Sequence, residues 1–349
     1  MSPRNIFRVL KQHAFLPSIL SRSYAGGYKV IKRPDPNKLK MPSPANAARI
    51  MDIINEKIKL SGPISIAEYM NIVLTNPTEG YYMKKEVIGE GGDFITSPEI
   101  SQLFGDIIGV WFFSESKKLG PSTPLQIVEL GPGKGTLITD ILRKTKDGWR
   151  EILIDVDENG TLQYRISQKE TSSSQVLIRP PLGVGEKQDL EISPRGLGIA
   201  RQLAQRVDQD GGIALIADYG HQGEKGDTFR AFHKHQIVDP LTNPGLHDLT
   251  ADVDFTQLRL AASKTAGEEN YALVLGPVTQ MDFLKRSQAD ARLQMLLDRT
   301  DEETKEKLKS AFDMLTNPQK MGERFKFMAF YPSAMAPIIE KFKPLGFSS

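Results

Sequence analysis

The sequence predicts an α/β fold, in which helices pack against a mainly parallel sheet and a helical region comes first. Residues 125–130 form a short apolar run that ends in alternating glycines and leads into helical periodicity, which is half of a βαβ unit. Residues 213–221 form a second apolar run that ends in a polar turn, as a buried parallel strand does. Residues 96–113 carry a continuous apolar stripe at helical spacing, so we expect this helix to pack against a large surface.

The composition is that of an ordinary globular protein, with 349 residues of which 39% are hydrophobic and 25% are charged. The formal net charge is only +2, so we expect no nucleic-acid partner. The chain contains no cysteine, which excludes disulfides, thiolate metal sites and a cysteine nucleophile. The longest apolar runs, such as residues 107–113, fall far short of the roughly 20 residues that cross a bilayer, so we expect no membrane insertion.

The N-terminus has the features of an organelle-targeting segment. No acidic residue precedes Asp35, and residues 22–25 resemble a mitochondrial processing site with cleavage after Tyr24. Four basic residues interrupt an apolar, helix-compatible segment: Arg4, Arg8, Lys11 and Arg22. This pattern predicts a mitochondrial transit peptide over residues 1–24 and a location in the matrix. A basic disordered tail is the alternative interpretation.

The chain after this segment divides into three regions. Residues 25–45 carry four prolines and no periodicity, which predicts a linker. A helical N-terminal region is predicted over residues 46–120, and an α/β domain over residues 121–349. Three helices are expected in the helical region, at residues 47–61, 65–75 and 96–113.

Periodicity and turn residues predict the elements after the first strand of the α/β domain. Their order is a helix at 136–143, a hairpin at 149–167, an exposed excursion at 168–195, a helix at 198–207, the strand at 213–221, a loop at 222–247, a helix from about residue 254, a strand at 271–280, two amphipathic helices within 281–316 and a last strand at 323–330.

The glycines after the first strand predict a site for a nucleoside-bearing cofactor. Gly131, Gly133 and Gly135 lack Cβ atoms, so a ligand can lie against the backbone N–H groups near the start of a helix. The spacing differs from that of a P-loop, and also from G-x-G-x-x-G, which disfavours a nicotinamide-dependent oxidoreductase. Together with Glu129 it resembles the first motif of S-adenosylmethionine-dependent methyltransferases. Tight packing of the strand against the helix is the alternative role for these glycines.

Several longer motifs, in order along the chain, resemble the MidA family of mitochondrial and bacterial methyltransferase-fold proteins. They lie at residues 91–105, 127–137, 217–221, 248–255 and 317–327. The resemblance implies a Rossmann-like S-adenosylmethionine-dependent methyltransferase fold with a helical N-terminal cap, and S-adenosyl-L-methionine as cofactor. It also implies symmetric dimethylation of an arginine in a matrix-arm subunit of complex I during assembly. A non-catalytic complex I assembly factor with the same fold is the alternative.

The residues assigned to the cofactor site follow from the glycine loop and from two other places. They are Glu129, Gly131, Gly133, Gly135, Asp93, Thr96, Glu99 and Asp218. Asp93, Thr96 and Glu99 lie at the start of a predicted helix, where capping is an equally good explanation. Asp218 follows a buried strand together with Tyr219 and His221, on the side where α/β proteins bind ligands. We assign no catalytic carboxylate and expect no metal.

The chain departs from the family pattern after the glycine loop. Residues 148–160 resemble a hairpin that in family members lies much further along, after the second and third strands and an acidic, aromatic loop. Here Arg143 leads almost directly into that hairpin. We therefore expect the chain to lack several tens of residues of the cofactor domain, leaving the central sheet incomplete. A weaker affinity for S-adenosylmethionine than that of a full-length relative is the expected consequence.

Overall fold

The computed structural model describes residues 5–11, 44–83, 97–119, 125–130, 140–145, 148–177, 189–233, 236–262 and 271–348. Within these residues the strands are β1 (Asn5–Lys11), β2 (Ile64–Ser65), β3 (Leu125–Leu130), β4 (Asp140–Thr145), β5 (Gly148–Val156), β6 (Leu162–Ile166), β7 (Asp189–Ile192), β8 (Ile213–His221), β9 (Arg230–His233), β10 (Gln236–Val238), β11 (Asp248–Thr250), β12 (Val253–Asp254), β13 (Leu273–Thr279) and β14 (Phe325–Tyr331).

The helices of the same residues are α1 (Pro44–Ser61), α2 (Ile66–Thr75), α3 (Ser97–Ile100), α4 (Gln102–Lys118), α5 (Ser172–Leu177), α6 (Pro194–Asp210), α7 (Phe255–Ala262), α8 (Gln280–Arg286), α9 (Ala289–Leu297), α10 (Glu302–Thr316) and α11 (Ala336–Lys341). Among the helices described here, none is long and apolar enough to cross a membrane.

The main sheet has the strand order β13-β14-β8-β1-β3, with β12 beside the end of β8. Strands β3, β1 and β8 run parallel, whereas β14 is antiparallel to both β8 and β13. This confirms the four strands predicted near residues 125, 213, 271 and 323. The position of β1 was not expected. The helix-compatible interpretation is wrong for residues 5–11, because so short a run cannot distinguish a helix from a strand. The transit peptide over residues 1–24 stays a prediction.

Both faces of the main sheet are covered, as predicted for a buried strand at residues 213–221. Ile213 and Leu215 of β8 pack on one side with α4 and α8, whereas Ala214 and Ile216 pack on the other with α6 and α7. Successive residues of a strand point to opposite faces, so an apolar strand of this kind contributes to two cores. The central position of β8 follows from this pattern.

The helix predicted over residues 96–113 is divided into α3 and α4 at Ser101. The Ser101 backbone is extended and its hydroxyl accepts a hydrogen bond from the Leu103 N–H, so Ser101 caps the N-terminus of α4. The predicted apolar stripe is confirmed. Its centre is Trp111, which is fully buried and donates its indole N–H to the Leu345 carbonyl at 2.9 Å.

A second, antiparallel sheet has the order β2-β5-β4-β7, with β6 paired to β5. The hairpin predicted at residues 149–167 is confirmed as β5 and β6. The helix predicted at residues 136–143 is wrong from Asp140 onward, where β4 pairs with β5 and β7. The apolar spacing there fits a helix as well as a strand, and the pairing partners decide the outcome.

Three further predictions are corrected. The excursion predicted at residues 168–195 contains α5 and the strand β7, whose Leu190 and Ile192 are buried. The loop predicted at residues 222–247 contains β9 and β10, which form a three-stranded sheet with β11. Residues 281–316 hold α9, α10 and most of α8, so three helices replace the expected two. Short strands and short helices carry too few residues for a periodic signal.

The first two helices of the N-terminal region pack on the second sheet, whereas α4 packs on the main sheet. Buried residues of α1 and α2 form one apolar cluster with Ile152 and Ile154 of β5 and with Leu249 of β11. The predicted helix ends are confirmed: Gly62 follows α1 with a positive φ of 78°, and Ser65 caps α2 by accepting a hydrogen bond from the Glu68 N–H. The predicted boundaries at residues 45/46 and 120/121 stay predictions.

Candidate cofactor and substrate site

The candidate site lies at one edge of the main sheet, where the parallel strands end. Leu130, the last residue of β3, pairs with Leu10 of β1, and Leu10 pairs with Ile216 of β8. On the other side, Asp218 pairs with Lys326 of β14. Residues that follow β3 therefore leave the sheet at the edge where β8 carries Asp218, Tyr219 and His221. In parallel α/β sheets this carboxyl edge is where ligands bind.

A second element reaches the same edge through β13. Thr279, the last residue of β13, pairs with Lys326, and Lys326 pairs with Asp218. Gln280 follows directly, is fully buried and accepts a hydrogen bond from the Ser97 hydroxyl at 3.1 Å. The start of α3 is thereby held at this edge of the sheet.

The predicted site residues are partly located by these elements. Glu129 is in β3, where it pairs with Val9, Glu99 is in α3, and Asp218 is in β8. The structure thus brings the three segments that carry Glu129, Glu99 and Asp218 to one edge. The other five predicted residues lie outside the described residues: Asp93, Thr96, Gly131, Gly133 and Gly135.

Asp218 is a buried carboxyl group at this edge. Its side chain accepts a hydrogen bond from the Tyr219 N–H at 2.8 Å. Burial raises the pKa of Asp218 well above its ordinary value, and the negative charge of Asp252 adds to this, although the hydrogen bond from Tyr219 opposes it. A carboxylate in such surroundings is costly to ionise unless a cation lies against it. The chemistry of Asp218 therefore suits a positively charged ligand.

Aromatic and hydroxyl groups surround the next residue. The Tyr219 hydroxyl shares a hydrogen bond with the Thr250 hydroxyl, and the Arg230 guanidinium lies 5.7 Å from the Tyr219 ring. Tyr82 is buried nearby, and its hydroxyl donates to the Asp248 carboxylate at 2.7 Å. The sequence analysis missed Tyr82, Thr250 and Arg230. For Thr250 a signal existed, because the motif at residues 248–255 contains it; the partner of Tyr82 is too distant in sequence to be found.

A charged cluster lies behind this aromatic group. Asp252 is buried and contacts the Lys225 ammonium at 2.6 Å and the Arg230 guanidinium. Burial by itself raises the pKa of Asp252, but Arg230 and Lys225 together hold the pKa below its ordinary value. Asp252 is therefore ionised and neutralised by its partners. Its main-chain N–H donates to the Thr228 hydroxyl, which connects it to Glu191 of β7.

His221 ends β8 and is held as a neutral ring. Its Nδ1 accepts a hydrogen bond from the Gly223 N–H at 3.0 Å, so the proton is on Nε2. Burial lowers the pKa of His221, which the charges of Asp254 and Glu224 oppose. Nε2 is buried and has no hydrogen-bond partner among the described residues. Within those residues, no three side chains of histidine, aspartate or glutamate are grouped as metal ligands.

Comparison with solved structures defines the class of this fold. A protein from Burkholderia thailandensis crystallised with S-adenosyl-homocysteine superimposes with a TM-score of 0.65 at 20% identity, over 86% of this chain and 98% of that chain. A native crystal structure of a protein of the same superfamily and organism gives 0.66 at 19% identity, over 89% and 96%. These similarities show the Rossmann-like α/β fold of S-adenosylmethionine-dependent methyltransferases.

Sequence comparison then identifies the family. The family described as "Putative S-adenosyl-L-methionine-dependent methyltransferase" matches residues 107–147 and 141–274. Proteins named "Protein arginine methyltransferase NDUFAF7, mitochondrial" are 38% identical in Danio rerio, over 82% of this chain and 87% of the relative, and 36% identical in Homo sapiens, over 79% and 82%. The chain belongs to this family, the MidA family of S-adenosylmethionine-dependent methyltransferases, which confirms the resemblance noted in the sequence.

The same comparisons support the expected internal gap. The alignment with the Danio rerio protein extends over 377 positions, more than the 349 residues of this chain, although it covers only 82% of the chain. The aligned part of the relative is therefore longer than the aligned part of this chain. The two family matches meet at residues 141–147, close to the predicted junction after Arg143.

The described residues fit the family's cofactor in position and in chemistry. The strand that precedes the glycines ends level with Leu10 and Ile216, and the buried carboxyl group of Asp218 follows at the same edge. S-adenosylmethionine carries a sulfonium charge, which a carboxylate in low dielectric favours. The family and this geometry together make S-adenosyl-L-methionine the cofactor of this fold.

Proposed function

We propose that the protein is a protein arginine methyltransferase of the mitochondrial matrix, which methylates an arginine in a matrix-arm subunit of complex I and so supports assembly of the complex. The names of the relatives support the arginine substrate and the mitochondrial location. The observation that carries the proposal is the buried carboxyl group of Asp218, placed at the sheet edge where β3 leads into the glycine loop.

Two segments at this edge have separate roles in binding the cofactor. The glycine loop after Glu129 would hold the methionine and ribose portions of the cofactor against its backbone N–H groups. The start of α3, which carries Glu99, is held at the same edge by the contact between Ser97 and Gln280. When bound, S-adenosylmethionine supplies a methyl group activated by its sulfonium charge. Asp218, buried near the end of β8, would bring a negative charge to this edge.

The protein's own groups bind, orient and deprotonate the substrate. The Asp218 carboxylate binds the cationic guanidinium and orients one nitrogen toward the methyl group. Because the methylated product would otherwise carry an additional proton, one proton leaves the reacting nitrogen, and Asp218 accepts it. The positive charge of the bound guanidinium favours the ionised form of Asp218, and burial favours its return to the protonated form when it accepts this proton.

The test measures methyl transfer from labelled S-adenosylmethionine to matrix-arm subunits of complex I prepared from cells that lack the endogenous relative. We expect Asp218→Asn to lower the transfer rate by about 100-fold or more. Glu303→Gln is the matched acid-to-amide control, since Glu303 lies on the exposed face of α10 and pairs only with Lys307 in the described structure. An Asp218→Asn protein that transfers as fast as the control would refute the assignment.

The missing internal segment favours a second function, that of a non-catalytic assembly factor. Calorimetry with S-adenosylmethionine separates the two. A wild-type protein that binds the cofactor but transfers no methyl group, while restoring complex I in deficient cells, would be this assembly factor. A cofactor affinity equal to that of the Homo sapiens relative would contradict the predicted weakening.

A further inference from the structure

The strand β1 lies between β3 and β8 in the main sheet. Asn5 to Leu10 pair in parallel with Leu125 to Leu130 of β3, and Phe7 to Lys11 pair in parallel with Ile213 to Ala217 of β8. Residues 7–10 therefore have a strand on each side. A segment from the N-terminus is a central strand of the domain.

The strand β3 depends on β1 for its place in the sheet. Among the described strands β3 pairs with β1 only, and it forms the end of the strand order. Without β1, the backbone groups of β3 would lose these partners, and one edge of β8 would be open. Unpaired backbone groups at both of these edges would destabilise the sheet. Through β1, Leu130 at the end of β3 is held level with Ile216 of β8.

Among the described residues after β3, none forms a strand that pairs with β3. Parallel strands need a crossover connection of a dozen or more residues. Here β4 is the next described strand after β3, and it joins the second sheet in antiparallel pairing. The two family matches meet and overlap at residues 141–147, directly after this point. The expected gap thus lies where a neighbour of β3 would have been encoded.

We propose that Asn5–Lys11 is a substitute strand, which fills the slot between β3 and β8 left by the absent segment and so completes the cofactor domain. The same residues belong to the predicted transit peptide. A chain cleaved after Tyr24 loses this strand, so the same segment cannot be removed after import and also complete the sheet. The form in which β3 and β8 are bridged by β1 is the one that keeps its N-terminus.

Hydrogen exchange on the full-length protein tests the proposal without S-adenosylmethionine or substrate, so its outcome is independent of the proposed function. We expect the amides of residues 7–10 to exchange at least about 100-fold more slowly than in an unstructured peptide. Exchange at the unstructured rate in the folded, uncleaved protein would overturn the proposal, whatever any variant does.

A pair of proline variants then tests the slot itself. Val9→Pro removes an N–H from the middle of a strand with neighbours on both sides, so we expect faster exchange at residues 125–130 and 213–217. Ser21→Pro is the matched control outside β1 and leaves both segments protected. Unchanged protection in Val9→Pro would also overturn the proposal, because β3 would then have a different partner.

Discussion

Replacing Glu191 by glutamine should stabilise the protein above pH 7 and have a much smaller effect near pH 5. Glu191 lies in β7 and is only 5% exposed. Burial raises its pKa from 4.5 to about 7, with a further contribution from the charges of Asp227 and Asp252, although two hydrogen bonds from Thr228 oppose the shift. Near neutral pH the folded protein therefore holds a proton that the unfolded chain has released.

The direction and size of the effect follow from this difference. Between pH 4.5 and about 7 the folded state binds more protons than the unfolded state, so the free energy of unfolding falls as pH rises. The stability is fully present below the unfolded pKa and is lost by the time the pH exceeds the folded pKa. Since one pKa unit corresponds to 1.36 kcal/mol, the loss from Glu191 amounts to about 3 kcal/mol.

Glutamine reproduces the protonated form of Glu191. The Thr228 N–H donates to the Oε1 atom at 2.8 Å, and the Thr228 hydroxyl bonds Oε2. A glutamine side chain keeps the oxygen acceptor, and its amide N–H can donate to the hydroxyl. It cannot ionise, so it removes the loss of about 3 kcal/mol above pH 7.

Urea unfolding from pH 5 to pH 8.5 measures this difference between the wild type and Glu191→Gln. His221 and Asp218 also change the slope with pH, but they are the same in both proteins and cancel. Glu303→Gln, an exposed acid-to-amide change, serves as the control. If the curves for Glu191→Gln and the wild type run parallel across this range, Glu191 does not titrate near pH 7, and the argument from its burial is wrong.

Four further substitutions should change stability through their immediate surroundings. Gly220→Ala would place a Cβ atom 2.2 Å from the Val253 carbonyl oxygen and should lower the free energy of unfolding in urea by about 3 kcal/mol. Gly198→Ala has open space around its Cβ atom in α6 and should raise the free energy of unfolding by about 0.5 to 1 kcal/mol. Ser193→Ala removes the N-cap hydroxyl of α6 and should lower the free energy of unfolding by about 1 kcal/mol. Tyr331→Phe deletes the hydroxyl that donates to the fully buried Glu115 at 2.9 Å. It should lower the free energy of unfolding by about 2 kcal/mol and so lower the melting temperature. A variant as stable as the wild type would show that another group replaces this donor.

The sequence predicts an element correctly where the element's own residues carry the pattern that identifies it. The helix α2 has a cap at Ser65 and five buried apolar residues at helical spacing, and β8 has an apolar run followed by a polar turn. Prediction from the sequence failed at β1 and β4, whose short apolar patterns fit two structures and whose partners are distant in sequence. The position of Asp218 near the carboxyl end of β8 was predictable from the apolar run that precedes it. The contact between Tyr82 and Asp248 was not, because nothing local to either residue indicates it.

The width of the sheet connects the substitute strand with the proposed chemistry. With β1 in place, β3 and β8 are two strand spacings apart, which is about 10 Å. If β3 instead paired directly with β8, the separation would be about 5 Å. The strand β1 therefore sets the distance between Leu130, the last residue of β3, and Ile216 of β8, and it also pairs with the backbone of β3.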